Sequence, residues 1–141
     1  MCSIINIIIF VIVSAILSFY DCKYYHIPLI LLYLGLLVSI AITFFMNRSV
    51  LLNSLLGMFF MSLFFLLMRF ITKGGMGYGD IQYALYCGFI ANFPDFIFVS
   101  LFAAIFGILI YLLIRKKEKR IPFVLAMMLG TISGWIVSFL K

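Results

Sequence analysis

The sequence contains few charged residues and very few acids. Only 10% of its 141 residues are charged, and four acidic residues stand against ten basic ones, whereas 67% are apolar. An ordinary soluble domain is about half apolar and about a quarter charged. A soluble fold has no way to bury this much apolar surface. The scarcity of charge therefore excludes an ordinary soluble domain and predicts an integral membrane protein.

Cysteine is also scarce, and its pattern excludes two kinds of structural site. The three cysteines, Cys2, Cys22 and Cys87, are odd in number and contain no C-x-x-C pair. This pattern argues against a disulfide framework and against a zinc site. We therefore expect no metal ion and no other cofactor.

Long uncharged stretches make up most of the chain. Most of them reach the roughly 17–25 residues that a helix needs to cross the hydrocarbon layer, where backbone polar groups must be paired within the segment. We predict an all-α membrane bundle of about six transmembrane helices, forming one domain over residues 1–141. The fourth stretch has 14 residues and also fits a re-entrant or interfacial segment. The stretches are 4–20, 27–47, 49–68, 81–94, 96–114 and 121–140.

The basic residues indicate how the bundle is oriented. With six spans, eight of the ten basic residues lie on one side, and Arg48 and Lys141 lie on the other. Because basic residues concentrate in cytoplasmic loops, this division places the N-terminus outside and the loops with Asp21 and Asp80 in the cytoplasm. The topology and anionic headgroups account for the net charge of +6, so we expect no nucleic-acid partner.

The four acids differ in their surroundings. Glu118 lies among five basic residues, and Asp95 follows Pro94, where a helix is expected to start. Asp21 and Asp80 each lie at the edge of an apolar stretch, where an ionisable group is a candidate for function. The structural alternative for Asp80 is a helix N-cap. Capping does not account for Asp21, because a carboxylate is unfavourable at a helix C-terminus.

Asp21 and Asp80 are predicted to form a catalytic pair. Two carboxyl groups that lie close together in a poorly solvated place share one proton. The ionised member can take a proton from water as the water attacks a peptide carbonyl, while the protonated member donates to the carbonyl oxygen. This chemistry requires no metal ion and no covalent nucleophile.

A glycine-rich stretch, residues 74–79, directly precedes Asp80. Glycine permits a close approach of the backbone to a ligand, so an extended substrate can lie against Gly77, Tyr78 and Gly79. A flexible loop between two helices is the alternative. A phosphate-binding loop is excluded because no G-K-[ST] follows.

Three motifs resemble those of the type IV prepilin peptidases. Residues 77–80 (Gly-Tyr-Gly-Asp) resemble the G-x-G-D motif of membrane aspartyl proteases, and Asp21 followed by Ile27-Pro28 resembles the aspartate and Ile-Pro of the prepilin peptidases. Residues 121–123 resemble the family's Ile-Pro-Phe. Presenilin-like proteases share G-x-G-D, but their Pro-Ala-Leu motif does not occur here. The short spans are most similar to the compact prepilin and archaeal preflagellin peptidases.

This resemblance implies an aspartyl endopeptidase in the cytoplasmic membrane of a prokaryote. It implies cleavage, at the cytoplasmic face, of the basic leader from pilin-like precursors whose apolar helix docks from the bilayer. Larger bacterial members carry an insertion with paired C-x-x-C motifs and an N-methyltransferase activity, for which this chain has no room, so we expect cleavage without methylation. The implied catalytic residues are Asp21 and Asp80, and the supporting motif residues are Ile27, Pro28, Gly77, Tyr78 and Gly79.

Three positions depart from the family pattern, and other functions stay open. Leu29 replaces an asparagine, Gln82 stands where a lysine is common, and Val124 replaces a glycine. One alternative is a catalytically silent scaffold for pilus or secretion assembly, and another is a small proton-coupled transporter. A transporter favours acids near the middle of its spans. His26 lies close enough to Asp21 in sequence to hydrogen-bond near the site, but we do not assign it a catalytic role.

Overall fold

The protein is described by a computed structural model that covers residues 4–24, 27–46, 48–71, 73, 77–114 and 123–140, with side chains omitted for 111–114. Over these residues it is all-helical, which confirms the predicted helical membrane bundle. Four helices, α1, α2, α3 and α6, are long and apolar enough to cross a membrane. The six helices are α1 (Ile4–Tyr24), α2 (Leu29–Met46), α3 (Arg48–Ile71), α4 (Tyr78–Ala91), α5 (Phe96–Ile114) and α6 (Phe123–Leu140).

The outer faces of the helices are apolar. Inside the bundle, glycines let the backbones of neighbouring helices pack closely. Large side chains such as Ile12, Leu34 and Phe45 are exposed, which is the surface expected against lipid. Gly57 of α3 and Gly88 of α4 face each other so closely that a Cβ on either would lie 2.5 Å from the other's carbonyl oxygen. Small residues of this kind let membrane helices approach, so they bring α4 against α3.

The short helix α4 lies at the centre of the bundle. It contacts each of the other helices, and it buries most of its residues, including Tyr83, Tyr86 and Cys87. Its 14 residues extend about 21 Å, which is less than the roughly 30 Å hydrocarbon core. Because α4 is buried over most of its residues among the other helices, its length need not match the bilayer.

A turn over residues 92–95 completes the path of α4 across the bundle. Asn92, at a positive φ of 64°, ends α4 and accepts a hydrogen bond from the Ser54 hydroxyl of α3. Asp95 directly precedes α5, as predicted, and its Oδ2 accepts a hydrogen bond of 2.5 Å from the Ser138 hydroxyl near the end of α6. The fourth apolar stretch therefore reaches from one end of the bundle to the other through a helix and a turn.

Buried polar side chains join α1, α2 and α4 inside the bundle. The Asn6 Nδ2 donates to the Thr43 Oγ1 at 2.7 Å, and the Ser39 and Tyr86 hydroxyls share a hydrogen bond of 3.1 Å. Unpaired polar groups are costly away from water, so these pairs specify how the three helices face each other.

Candidate active site

Asp21 and Asp80 line one cavity at one end of the bundle. Asp21 lies in the last turn of α1, and Asp80 lies in the first turn of α4. The antiparallel path of the chain brings these two turns together, although they are far apart in sequence. The cavity has a volume of about 250 Å³. Its walls are formed by Asp21, Ile27, Leu29, Gly77, Tyr78, Gly79, Asp80 and Gln82.

The Asp21 carboxylate is held by the start of α6. Asp21 is only 8% exposed, and its Oδ2 accepts a hydrogen bond of 3.3 Å from the Val124 N–H. Amides in the first turn of a helix have no partner within the helix, and the positive end of the macrodipole favours an anion. We exclude a capping role only for its own helix, α1, and the carboxylate instead pairs with the first turn of α6.

Asp80 is the third residue of α4 and not its N-cap. Gly77 occupies the N-cap position, in an extended backbone conformation. The Gly77 N–H donates back to the Asp80 Oδ2 at 3.2 Å. A Cβ at position 77 would lie 3.2 Å from the same oxygen, so a larger residue there would crowd the carboxylate. The N-cap alternative for Asp80 is corrected accordingly, and both acids accept an amide hydrogen at a helix N-terminus.

Asp80 precedes the apolar stretch 81–94 and holds its proton more tightly than a solvated aspartate. Burial, followed by the neighbouring Asp21 carboxyl, raises the pKa of Asp80 to about 6, while the hydrogen bond from Gly77 acts in the opposite direction. Burial disfavours the charged form, and a second carboxylate disfavours it further. The pair therefore keeps a proton up to a higher pH than a solvated aspartate does, with the pKa of Asp80 at about 6.

The two motifs on either side of the cavity touch each other. Ile27 packs so closely on Gly79 that a Cβ at position 79 would lie 2.9 Å from the Ile27 Cδ1. The Pro28 carbonyl accepts hydrogen bonds from the Leu31 and Leu32 amides, at 3.1 and 3.3 Å, and so begins α2. Ile27 thus forms part of the cavity wall, in contact with the glycine motif.

The three departures from the family pattern all lie at this site. Leu29 and Gln82 line the cavity, and Val124 donates its amide to Asp21. The contribution of Val124 was missed from the sequence because a backbone amide has no residue signature. The positions of Leu29 and Gln82 at the cavity could have been predicted from the sequence, because Leu29 directly follows Ile27-Pro28 and Gln82 lies two residues after Asp80.

Several predicted features lie outside the described residues. These are Cys2, His26, Glu118, residues 121 and 122 of the Ile-Pro-Phe motif, and the basic segment 115–120. Among the residues that are described, no group of three or more His, Cys, Asp or Glu side chains has the arrangement of a metal site. Neither Cys22 nor Cys87 forms a disulfide with another described residue.

Comparison with known protein families shows a match over most of the chain. Residues 8–112 match the model of the type IV leader peptidase family. The matched range includes both acids and all the cavity-lining residues. No curated protein and no solved structure matches the chain.

Proposed function

The chain belongs to the type IV leader peptidase family, and we propose that it is an aspartyl endopeptidase with Asp21 and Asp80 as its catalytic pair. Family membership and the apolar helices establish a membrane protein with a leader-peptidase type of function. The observation that carries the aspartyl proposal is that both acids line one cavity, where each accepts an amide hydrogen bond.

In this proposal the two carboxyl groups activate a water molecule. The ionised carboxylate takes a proton from water as the water oxygen bonds to the peptide carbonyl carbon, and the protonated carboxyl donates to the carbonyl oxygen. The tetrahedral intermediate then collapses, the C–N bond breaks, and a carboxyl group donates a proton to the leaving nitrogen. The shared proton that this cycle requires agrees with the raised pKa of Asp80.

The proposed substrates are pilin-like precursors with a basic leader and an apolar helix. Gly77 and Gly79 lack side chains on the cavity wall, so a peptide can lie extended against the backbone there. The apolar helix of the precursor would reach the site from the bilayer. The 141 residues contain no paired C-x-x-C motifs, and we propose leader removal without N-methylation.

We place the site at the cytoplasmic face of a prokaryotic cytoplasmic membrane, with the N-terminus outside. Support comes from basic residues at the end of the bundle that holds the site. Lys23 lies in the last turn of α1, Arg69 lies in the last turn of α3, and Lys73 shortly follows α3. Basic residues concentrate at the cytoplasmic side of membrane proteins.

The alternative is a catalytically silent family member that acts as a scaffold for pilus or secretion assembly. The observation that favours it is that Leu29 and Gln82, which line the cavity, and Val124, which donates to Asp21, depart from the family pattern. A proton-coupled transporter is less well supported, because both acids lie in terminal turns of their helices and a relay favours acids within the spans.

Cleavage of co-expressed pilin-like precursors from the same genome tests the proposal. Asp21→Asn and Asp80→Asn are each expected to reduce cleavage about 10²–10⁴-fold, the range for loss of a general acid or base. Asp95→Asn, at the opposite end of the bundle, is the matched control and should retain cleavage. A mobility shift of the precursor measures the result. Processing that persists in both site variants at equal expression would sink the aspartyl mechanism and favour the scaffold.

A further inference from the structure

A second cavity, here named the α3–α4 groove, lies beside the site. It has a volume of about 780 Å³ and lies between the end of α3 and the start of α4. Its apolar wall is formed by Leu66, Phe70 and Ile81. Tyr78 and Gln82 belong to both cavities. The groove therefore adjoins the site, and its wall is far more apolar than that of the site.

Two cations border the α3–α4 groove. Arg69 and Lys73 are among its lining residues, and none of the described residues that line it is acidic. The Arg69 guanidinium carbon lies 3.7 Å from the centre of the Tyr78 ring. Stacking of this kind engages the face of the guanidinium and orients its N–H edge, which is the part that binds phosphate oxygens. The end of the groove thus favours an anion.

The groove also opens toward lipid. Leu66 is 53% exposed and Phe70 is 83% exposed, although both are large and apolar and lie in a helix that can cross a membrane. Arg69 lies in the last turn of that helix, which is the level of the headgroups. A basic leader would be repelled by Arg69 and Lys73. A ligand with an apolar chain and an anionic head fits both the walls and the charges.

We infer that the α3–α4 groove binds an anionic phospholipid, with its phosphate at Arg69 and Lys73 and an acyl chain along Leu66, Phe70 and Ile81. Basic pockets between helices on the cytoplasmic side of membrane proteins bind anionic headgroups in this way. The occupant is a bilayer lipid and not a soluble phosphate, because most of the groove wall is apolar.

Occupation of the groove also has a consequence for the site. Tyr78 separates the two cavities and belongs to the glycine motif that precedes Asp80. A lipid that packs on Tyr78 and Arg69 would restrain this segment, so cleavage is expected to be faster with anionic lipid than with zwitterionic lipid. This consequence rests on the proposed function, whereas lipid binding itself does not.

Binding can be measured on the purified full chain in detergent by native mass spectrometry. Phosphatidylglycerol is the probe, and phosphatidylcholine with the same acyl chains is the comparison. We expect the wild-type protein to bind phosphatidylglycerol more tightly. Because each basic residue near the surface contributes about 1 kcal/mol, the double variant Arg69→Gln/Lys73→Gln should weaken this binding about 10- to 30-fold.

Arg48→Gln is the matched control, since Arg48 lies on the same helix at its other end and stacks on the Phe44 ring at 4.8 Å. It should leave the preference for phosphatidylglycerol unchanged. Arg69→Lys keeps the charge but loses the stacked guanidinium, so it should retain more of the binding than Arg69→Gln, which separates loss of charge from misfolding. Equal binding of the two lipids, or equal loss in Arg48→Gln, would overturn the site.

A photo-crosslinking residue at position 70 identifies the occupant in membranes. Recovery of phosphatidylglycerol is expected, and recovery of the precursor helix in its place would reassign the groove to the substrate and refute the lipid assignment. The outcomes also separate the two proposals. Lipid binding without a cleavage defect in the aspartate variants refutes the aspartyl mechanism alone, whereas a cleavage defect without lipid preference refutes this inference alone.

Discussion

The end of the bundle opposite the site pairs its polar side chains with one another. Asp95 accepts a hydrogen bond from the Ser138 hydroxyl of α6, and Asn92 accepts one from the Ser54 hydroxyl of α3. These pairs join the turn after α4 to two neighbouring helices. Polar groups at this end hold the chain path in place.

At the end of the bundle that carries the site, the acids are paired with backbone amides and not with side chains. Asp21 and Asp80 accept hydrogen bonds from the backbone amides of Val124 and Gly77, and both carboxyl groups face a cavity. A backbone donor positions a carboxylate and leaves acceptor capacity toward the cavity, since an ionised carboxylate has about four lone-pair sites. Aspartate thus has a structural role at one end of the bundle, whereas at the other end its carboxyl group is available for chemistry.

After loss of either site aspartate, the largest effect is expected from filling the contact between the two site motifs. Gly79→Val would place side-chain atoms where Ile27 packs, because a Cβ alone would lie 2.9 Å from the Ile27 Cδ1. Displacement of the adjacent Asp80 should reduce precursor cleavage on the order of 10²-fold. The double variant Gly79→Val/Ile27→Ala should recover part of the loss. A Gly79→Val protein that cleaves normally would contradict the proposed role of this contact.

The next effect concerns stability and its dependence on pH. Because the folded pKa of Asp80 is raised from 3.8 to about 6, the folded protein binds this proton more tightly than the unfolded chain does. Stability should therefore fall as pH rises from about 4 to about 6. Asp80→Asn removes this penalty and should stabilise the protein at pH 7, on the order of 1–3 kcal/mol. Thermal unfolding of the wild-type protein and of Asp80→Asn in detergent, at pH 4 and at pH 7, measures this difference in stability.

The opposite end supplies the control for that measurement. Asp95→Asn should give no gain in the unfolding temperature at pH 7, because Asp95 is paired with Ser138. An equal gain from Asp95→Asn and Asp80→Asn would show that removal of any negative charge stabilises the bundle. The distinction between the two ends would then be lost.

The smallest effect is expected from the structural pairs themselves. Ser138→Ala removes the donor to Asp95 and should cost about 1 kcal/mol of stability. The rate of precursor cleavage by the folded protein should stay within about twofold, because the pair lies at the end of the bundle away from the site. A large loss of cleavage at unchanged stability would contradict a purely structural role for this end.

The helical membrane class was predictable from the chain because it depends on local properties. As helices, apolar runs such as 4–20 and 121–140 approach or match the bilayer thickness, and the described residues of these runs form α1 and α6. The family was equally accessible, since residues 77–80 and Ile27-Pro28 are contiguous motifs. The pairing of Asp21 with Asp80 was predicted from chemistry and resemblance, and its catalytic role stays a prediction.

The surroundings of the acids could not be predicted in the same way. That α6 donates an amide to Asp21 depends on the contact between Val124 and a residue at the other end of the sequence. The N-cap at Gly77, the contact of Ile27 with Gly79 and the groove beside Tyr78 likewise arise from how helices pack.

Hydropathy, segment length and contiguous motifs by themselves determined that this protein is a helical membrane protein and a leader peptidase by family. These properties depend on contiguous stretches of sequence, because a helix in lipid must satisfy its backbone hydrogen bonds within its own segment. Only the tertiary structure decided which amides hold the two carboxyl groups and which side chains line the cavities. Those contacts join residues that are distant in sequence, and their geometry depends on close packing of the whole bundle.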